Sequence, residues 1–192
     1  LKPNLNLEPN IESIGSETHY AVMPASNWKG KEWGVNHFFE FIEMCSAQSQ
    51  SSRPAWVPVI LGTEHDHASL KLIELLKAKQ LTHLSFVGKL DLVQTAQLFS
   101  KTRFLISNDT GLSHLAEAVG TPVYAIYGPT TPDFGFSVSS PKSEALHSGL
   151  WCAPCSKDGS LCFRVLDRYA CMKNFDSKRV YTRVMDHKKD SK

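Results

Sequence analysis

Apolar residues along the chain fall into short continuous runs separated by longer amphipathic stretches, and the two kinds alternate. HYAVMP at 19–24 reads as a strand, and after the loop ASNWKGKEWG the residues Phe38, Phe41, Ile42 and Cys45 recur on one helix face. The polar stretch SAQSQSSRP, ending at Pro54, breaks that helix. WVPVIL at 56–61 predicts a second strand, with Pro58 pointing to an edge or a bulge, and Leu72, Ile73, Leu75 and Leu76 mark a second helix. The pattern then repeats: LSFVG at 84–88 is a strand, LDLVQTAQLF at 90–99 a helix, and FLI at 104–106 a strand. TGLSHLAEAVG follows as a helix closed by Gly120, and VYAIYG as a strand ending at Gly128. Continuous apolar runs suit strands covered on both faces. Strands alternating with helices therefore predict an α/β fold, a Rossmann-like doubly wound parallel sheet with right-handed crossovers. No internal repeat is present.

Such a sheet binds ligands outside the carboxyl ends of its strands, which directs attention to the loops there. The turn SNDTG is the most informative of them. Asn108 or Asp109 is placed to cap the helix, leaving the N–H groups of Thr110, Gly111 and Leu112 pointing forward. Those donors and the helix dipole favour a negative ligand. Gly111 lets a ligand approach the backbone, and Thr110 and His114, four apart, share a helix face. A diphosphate carrying a substituent fits this description. The plainer alternative is that Asp109 only caps the helix and His114 is an ordinary polar residue near the core. The other loops are less specific. Lys31 in ASNWKGKEW, taken alone, is a solvated lysine; in GPTTPDFGF, Gly128, Pro129 and Pro132 stiffen a turn that offers Thr130 and Thr131 as hydroxyls. That turn is either structural or an active-site edge.

Composition narrows the picture without choosing a function. At 192 residues and 42% hydrophobic content the chain can bury one sizeable core. Its 21 basic and 19 acidic residues give a formal charge of +2, so no global field argues for nucleic acid. The basic excess collects in RVMDHKKDSK at the end, which is either a solvated terminus or a segment touching an anionic membrane surface at its cytoplasmic face. No apolar run approaches the roughly 18–20 residues that span a bilayer, and no signal-peptide pattern opens the chain, so a cytoplasmic location is expected. The polar, Pro- and Asn-rich residues 1–18 read as a linker, and the start at Leu1 suggests a piece of something longer. Residues 19–150 are the expected main domain, and 151–192 a cysteine-containing lobe with a terminal helix.

Four of the five cysteines, Cys152, Cys155, Cys162 and Cys171, are spaced C-x2-C-x6-C-x8-C. The set is compatible with tetrahedral zinc, with a disulfide or redox pair, or with reduced packing thiols, and a cytosolic location disfavours disulfides. No base stands at a motif spacing that would make one of them a catalytic nucleophile. Cys45 falls at a core position of its helix and reads as simply buried.

The run SNDTGLSHLA followed by GTPVYAIYGPTTPDF resembles the carboxy-terminal domain of the lipopolysaccharide heptosyltransferases, glycosyltransferase family 9, the heptosyltransferase II branch most of all. The resemblance covers about residues 20 to 136, with a weaker continuation through the cysteines. It implies the C-terminal half of a GT-B glycosyltransferase, with ADP-heptose as donor, a heptose of the lipopolysaccharide inner core as acceptor, an inverting mechanism and no required cofactor. Lys31 and Trp33 match the family's Lys-x-Trp element, in which a proline usually follows; Gly34 stands there instead, so a looser helix start is expected. The implied donor-binding set is Ser26, Lys31, Asp66, Asp109, Thr110, Gly111, Leu112 and His114, with Lys31, Asp109 and His114 carrying the chemistry. Asp66 is placed either to accept hydrogen bonds from a nucleotide ribose or only to cap a helix, with His65 and His67 solvated. The backbone after Gly88 and Lys89 is placed to line a base pocket. In this family the general base sits on the amino-terminal, acceptor-binding domain, which has no counterpart upstream of Tyr20, so this chain is expected to bind donor without turning it over. Two other readings stay open: a non-catalytic nucleotide-sugar or protein-binding module with a metal-bound cysteine lobe, and another enzyme of the same architecture, such as a family 9 hexosyltransferase or a nucleotide-sugar epimerase.

Overall fold

Five of the apolar runs form parallel strands, and a sixth strand joins them. The computed structural model describes residues 10–48, 56–131 and 138–190. The strands are β1 (His19–Met23), β2 (Val57–Ile60), β3 (Leu84–Ser85), β4 (Leu105–Asn108), β5 (Val123–Tyr127) and β6 (Glu144–His147). The helices are α1 (Val35–Gln48), α2 (His67–Ala78), α3 (Leu92–Lys101), α4 (Gly111–Ala118), α5 (Ala170–Lys173) and α6 (Ser177–Asp190). The sheet order is β3-β2-β1-β4-β5-β6, with every neighbouring pair parallel. Chain direction across the sheet reverses between β1 and β4, which makes that crevice the topological switch point.

Side-chain alternation along each strand divides the core into two layers. Tyr20, Val22, Ile60, Phe104, Ile106, Tyr124 and Ile126 face one side, where they meet Phe38, Phe41 and Ile42 of α1, Leu72 and Leu76 of α2, and Met172, Phe175, Val180 and Val184 near the end of the chain. Ala21, Met23, Val59, Leu105, Val123 and Ala125 face the other, against Leu98 and Phe99 of α3 and Ala116 of α4. Helices thus cover both faces, as the unbroken apolar runs require. Residues 170–184 join the first layer, and α6 lies along α1.

Pro58 occupies an interior strand, not the sheet edge. β3 is only two residues long and pairs with Val59 and Ile60, so no strand lies beside Pro58 on that flank and its missing N–H goes unneeded. β6 has no signature in the sequence reading, because SEALHS lacks the β-branched run that marks its neighbours. The break around Pro54 and the Pro132 to Phe136 part of the GPTTPDFGF loop lie outside the described residues. Among the described residues no helix is long and apolar enough to cross a membrane.

Burial within the aromatic cluster pushes the Tyr124 phenol up to about 12, with Glu144 adding to the shift and Arg103 opposing it. A raised folded value means that the stability tied to the neutral phenol is complete below the ordinary value of about 10 and is lost as pH rises through about 12. Alkaline titration followed by tyrosinate absorbance is expected to show a late phase near pH 12 coinciding with unfolding; ionisation of all tyrosines near pH 10 would contradict it.

Candidate functional site

The loops leaving β1 and β4 are fastened together by one buried amide. Asn108, the last residue of β4, donates from Nδ2 to the Pro24 carbonyl at 2.7 Å and accepts at Oδ1 from the Trp33 N–H at 3.0 Å. Asparagine can serve both roles because its amide carries a donor and an acceptor. Trp33 is itself locked: its indole N–H donates to the Phe175 carbonyl at 2.7 Å, its ring stacks on His37 at 5.3 Å between centroids, and it meets Phe38 edge-on at 5.0 Å. Gly34 adopts φ +100°, a conformation closed to proline, whose ring holds φ near about −65°. Gly34 therefore takes a backbone path that a proline could not, and the residue before it, Trp33, is held by Asn108 at the start of α1.

That anchoring aims Lys31, at the end of the short 3₁₀ turn Lys29–Lys31, across the crevice. Its Nζ lies 2.7 Å from Asp109 Oδ2, with the two side chains 15% and 9% exposed. Thr130 Oγ1 donates to the same oxygen at 2.9 Å. Asp109 is thus the acceptor for a cation from the β1 loop and a hydroxyl from the β5 loop. Neither Asn108 nor Asp109 caps α4, contrary to expectation, since both side chains are engaged across the crevice. Thr110 is the N-cap residue, and it makes no side-chain capping bond. Its Oγ1 is buried without a hydrogen-bond partner among the described residues. A Cβ added at Gly111 would meet nothing within 4 Å, so the backbone there stands open.

These groups border a cavity of about 1190 Å³, and every residue of the implied donor set lines it: Ser26, Lys31, Asp66, Asp109, Thr110, Gly111, Leu112 and His114. Asp66 is the N-cap residue of α2, but its carboxylate accepts from the Thr63 N–H at 2.7 Å and makes no capping bond to the helix. Burial raises the Glu32 carboxyl from its usual value, with Lys29 opposing and Asp66 adding to the shift. Phe86, Leu90 and Leu92 add apolar side chains to the cavity lining, together with Asp91, whose capping box with Gln94 starts α3. Lys157 and Asp158 of the cysteine lobe also reach the cavity. Sequence reasoning assigned no role to these two, because nothing in their spacing ties residue 157 to residue 109.

The four late cysteines are drawn to one region without forming a ligand set. Burial, and then the neighbouring thiols Cys155, Cys152 and Cys162, push Cys171 up to about 11; burial, then Cys162 and Cys152, raises Cys155. None of the five cysteines is in a disulfide. Among the described residues no group of three or more His, Cys, Asp or Glu side chains is arranged to hold a metal ion. One of them has a local partner: the Tyr169 N–H donates to Cys162 Sγ at 3.3 Å.

Residues 6–163 match the family described as glycosyltransferase family 9 (heptosyltransferase). Lipopolysaccharide heptosyltransferase 1 of Pseudomonas aeruginosa is 31% identical over 154 residues, which are 80% of this chain and 40% of that protein. Among solved structures, ADP-heptose lipopolysaccharide heptosyltransferase II of Escherichia coli shares the fold with a TM-score of 0.69 at 22% identity, over 92% of this chain and 48% of that one. Escherichia coli heptosyltransferase WaaC with ADP aligns with a TM-score of 0.66 at 19% identity, over 91% and 45%. The chain thus spans less than half the length of each of these relatives.

Proposed function

This chain belongs to glycosyltransferase family 9, the heptosyltransferase family, and from that premise we propose that it is the donor-binding half of an inverting transferase moving heptose from ADP-heptose to the lipopolysaccharide inner core. The observation that carries the reading is the conjunction at the start of α4 of an open glycine backbone, an unsatisfied buried threonine hydroxyl and a lysine held across the crevice. Amides and a helix dipole aimed at one point stabilise an anion, and a diphosphate is the anion a nucleotide sugar presents. Phe86, Leu90 and Leu92 on the cavity wall supply apolar surface that suits a base, and Asp66, on the same wall, supplies a carboxylate that suits ribose hydroxyls.

In the proposed reaction the acceptor hydroxyl attacks the anomeric carbon of the heptose from the face opposite the diphosphate. The anomeric carbon–oxygen bond breaks, its electron pair leaves with ADP, and the acceptor proton passes to a base on the acceptor-binding half. This chain's part is electrostatic. The amides of Gly111 and Leu112, the Thr110 hydroxyl and Lys31 take up the charge that develops on the leaving diphosphate. Asp109 holds Lys31 in position, and His114, one helical turn beyond Thr110, is placed to donate to phosphate or sugar.

Calorimetric titration of the chain with ADP-heptose beside UDP-glucose tests the reading. ADP-heptose is expected to bind at least tenfold more tightly; equal affinity would move the assignment to a hexosyltransferase. Transfer of heptose to a core acceptor by this chain alone would overturn the half-enzyme reading.

A further inference from the structure

We propose that Lys157, on the cysteine-lobe loop, is a further donor-binding residue that supplies the uncommitted positive charge facing the donor diphosphate. The inference deepens the reading above and rests on it for the identity of the ligand.

The loop is fixed to the site by its backbone. The N–H groups of Cys155 and Ser156 both donate to the Pro129 carbonyl, at 2.8 and 3.0 Å. Gly159 then folds onto the Lys31 turn so closely that a Cβ on Gly30 would lie 2.2 Å from its carbonyl oxygen. A Cβ on Gly159, which has φ +77°, would lie 2.8 Å from Lys31 Cγ. Only two glycines permit this approach. Within the loop, Asp158 Oδ1 accepts from Ser156 Oγ at 3.0 Å, from the Ser160 N–H at 2.9 Å and from Ser160 Oγ at 2.6 Å. Those bonds hold the Asp158 carboxyl down at about 2 and turn its charge into its own loop. Lys157, adjacent, is exposed and lines the cavity, with no ion pair among the described residues.

Charge balance gives that lysine its significance. Among the described residues the cavity wall carries two lysines, Lys31 and Lys157, against Asp66, Asp91, Asp109 and Asp158. Lys31 is paired with Asp109 at 2.7 Å, which positions it and offsets part of its charge toward an anion. A diphosphate brings further negative charge to a wall that is acidic on balance. Helix amides offset part of it, and among the described lining residues Lys157 is the cationic side chain left to offset more, on a flexible stem anchored beside the Lys31 turn.

The test is calorimetry on the whole chain with two probes, ADP and inorganic pyrophosphate, comparing wild type with Lys157→Gln and Lys157→Arg. Lys157→Gln is expected to weaken both probes about tenfold, equivalent to about 1.4 kcal/mol, while Lys157→Arg restores most of the affinity and neither variant changes the melting temperature. The difference between wild type and Lys157→Gln should shrink in high salt, as an exposed charge contact requires. If pyrophosphate binding depends on Lys157 but ADP binds no better than pyrophosphate, the nucleotide reading fails and the anion-binding role of Lys157 stands. If ADP binds wild type and Lys157→Gln equally, the proposal is overturned and the donor reading survives. Absence of binding by either probe to wild type overturns both.

Discussion

Asp109→Ala is expected to abolish measurable donor binding and to lower stability by about 2–3 kcal/mol. The carboxylate accepts from Lys31 at 2.7 Å and Thr130 at 2.9 Å while only 9% exposed. Removing one partner of a largely buried pair strands the other charge, which costs about 3–5 kcal/mol when burial is complete and less here because Lys31 keeps some contact with water. Binding suffers for a different reason. Without Asp109 the Lys31 ammonium has no fixed position, and the Thr130 hydroxyl loses its acceptor. Asp109→Asn keeps an acceptor for both donors and removes the charge, so it should recover stability more than affinity. Urea denaturation together with ADP calorimetry separates the two effects. A cycle with Lys31→Ala supplies the decisive number: a coupling energy below about 0.5 kcal/mol in the free protein would mean that the pair acts as two independent surface charges.

The parts of the fold legible in the sequence were those set by local periodicity. Runs such as FLI and VYAIY are apolar at every position because β4 and β5 are covered on both faces, and that signal survives without tertiary knowledge. β6 escaped notice because an outer strand with the burial pattern of Glu144–His147 needs no continuous apolar run. The eight residues proposed as the donor set line one cavity. Their hydrogen bonding was not legible. Asp109 and Asn108 looked like helix caps because a cap is the local option for such residues, whereas their partners, Lys31 and Trp33, lie 78 and 75 residues away. Pairings at that separation depend on the strand order, in particular on β1 lying beside β4. The same reasoning explains Lys157, whose place over the site follows from two hydrogen bonds to Pro129 that no spacing rule announces.

Trp33→Ala is expected to cost about 3–5 kcal/mol and to weaken ADP binding although the indole touches no ligand-facing group. The stability loss follows from deleting a fully buried aromatic side chain that packs on His37, Phe38 and Phe175. The loss of binding follows from position. Trp33 stands two residues after Lys31, and its side chain is the only one of that loop tied to the far end of the chain among the bonds described, through the Phe175 carbonyl at 2.7 Å. Phe175 lies beyond residues 6–163, the part whose sequence matches the family, so a segment outside that match braces a loop inside it. Trp33→Phe separates packing from bracing: it keeps most of the buried ring but removes the N–H donor, leaving the Phe175 carbonyl unsatisfied at a cost of about 1–2 kcal/mol. If the brace positions Lys31, Trp33→Phe should lose several-fold in ADP affinity while retaining most of its stability. An affinity equal to wild type in Trp33→Phe would show that the Asn108 clamp alone holds the Lys31 turn, and that the terminal segment serves the core and not the site.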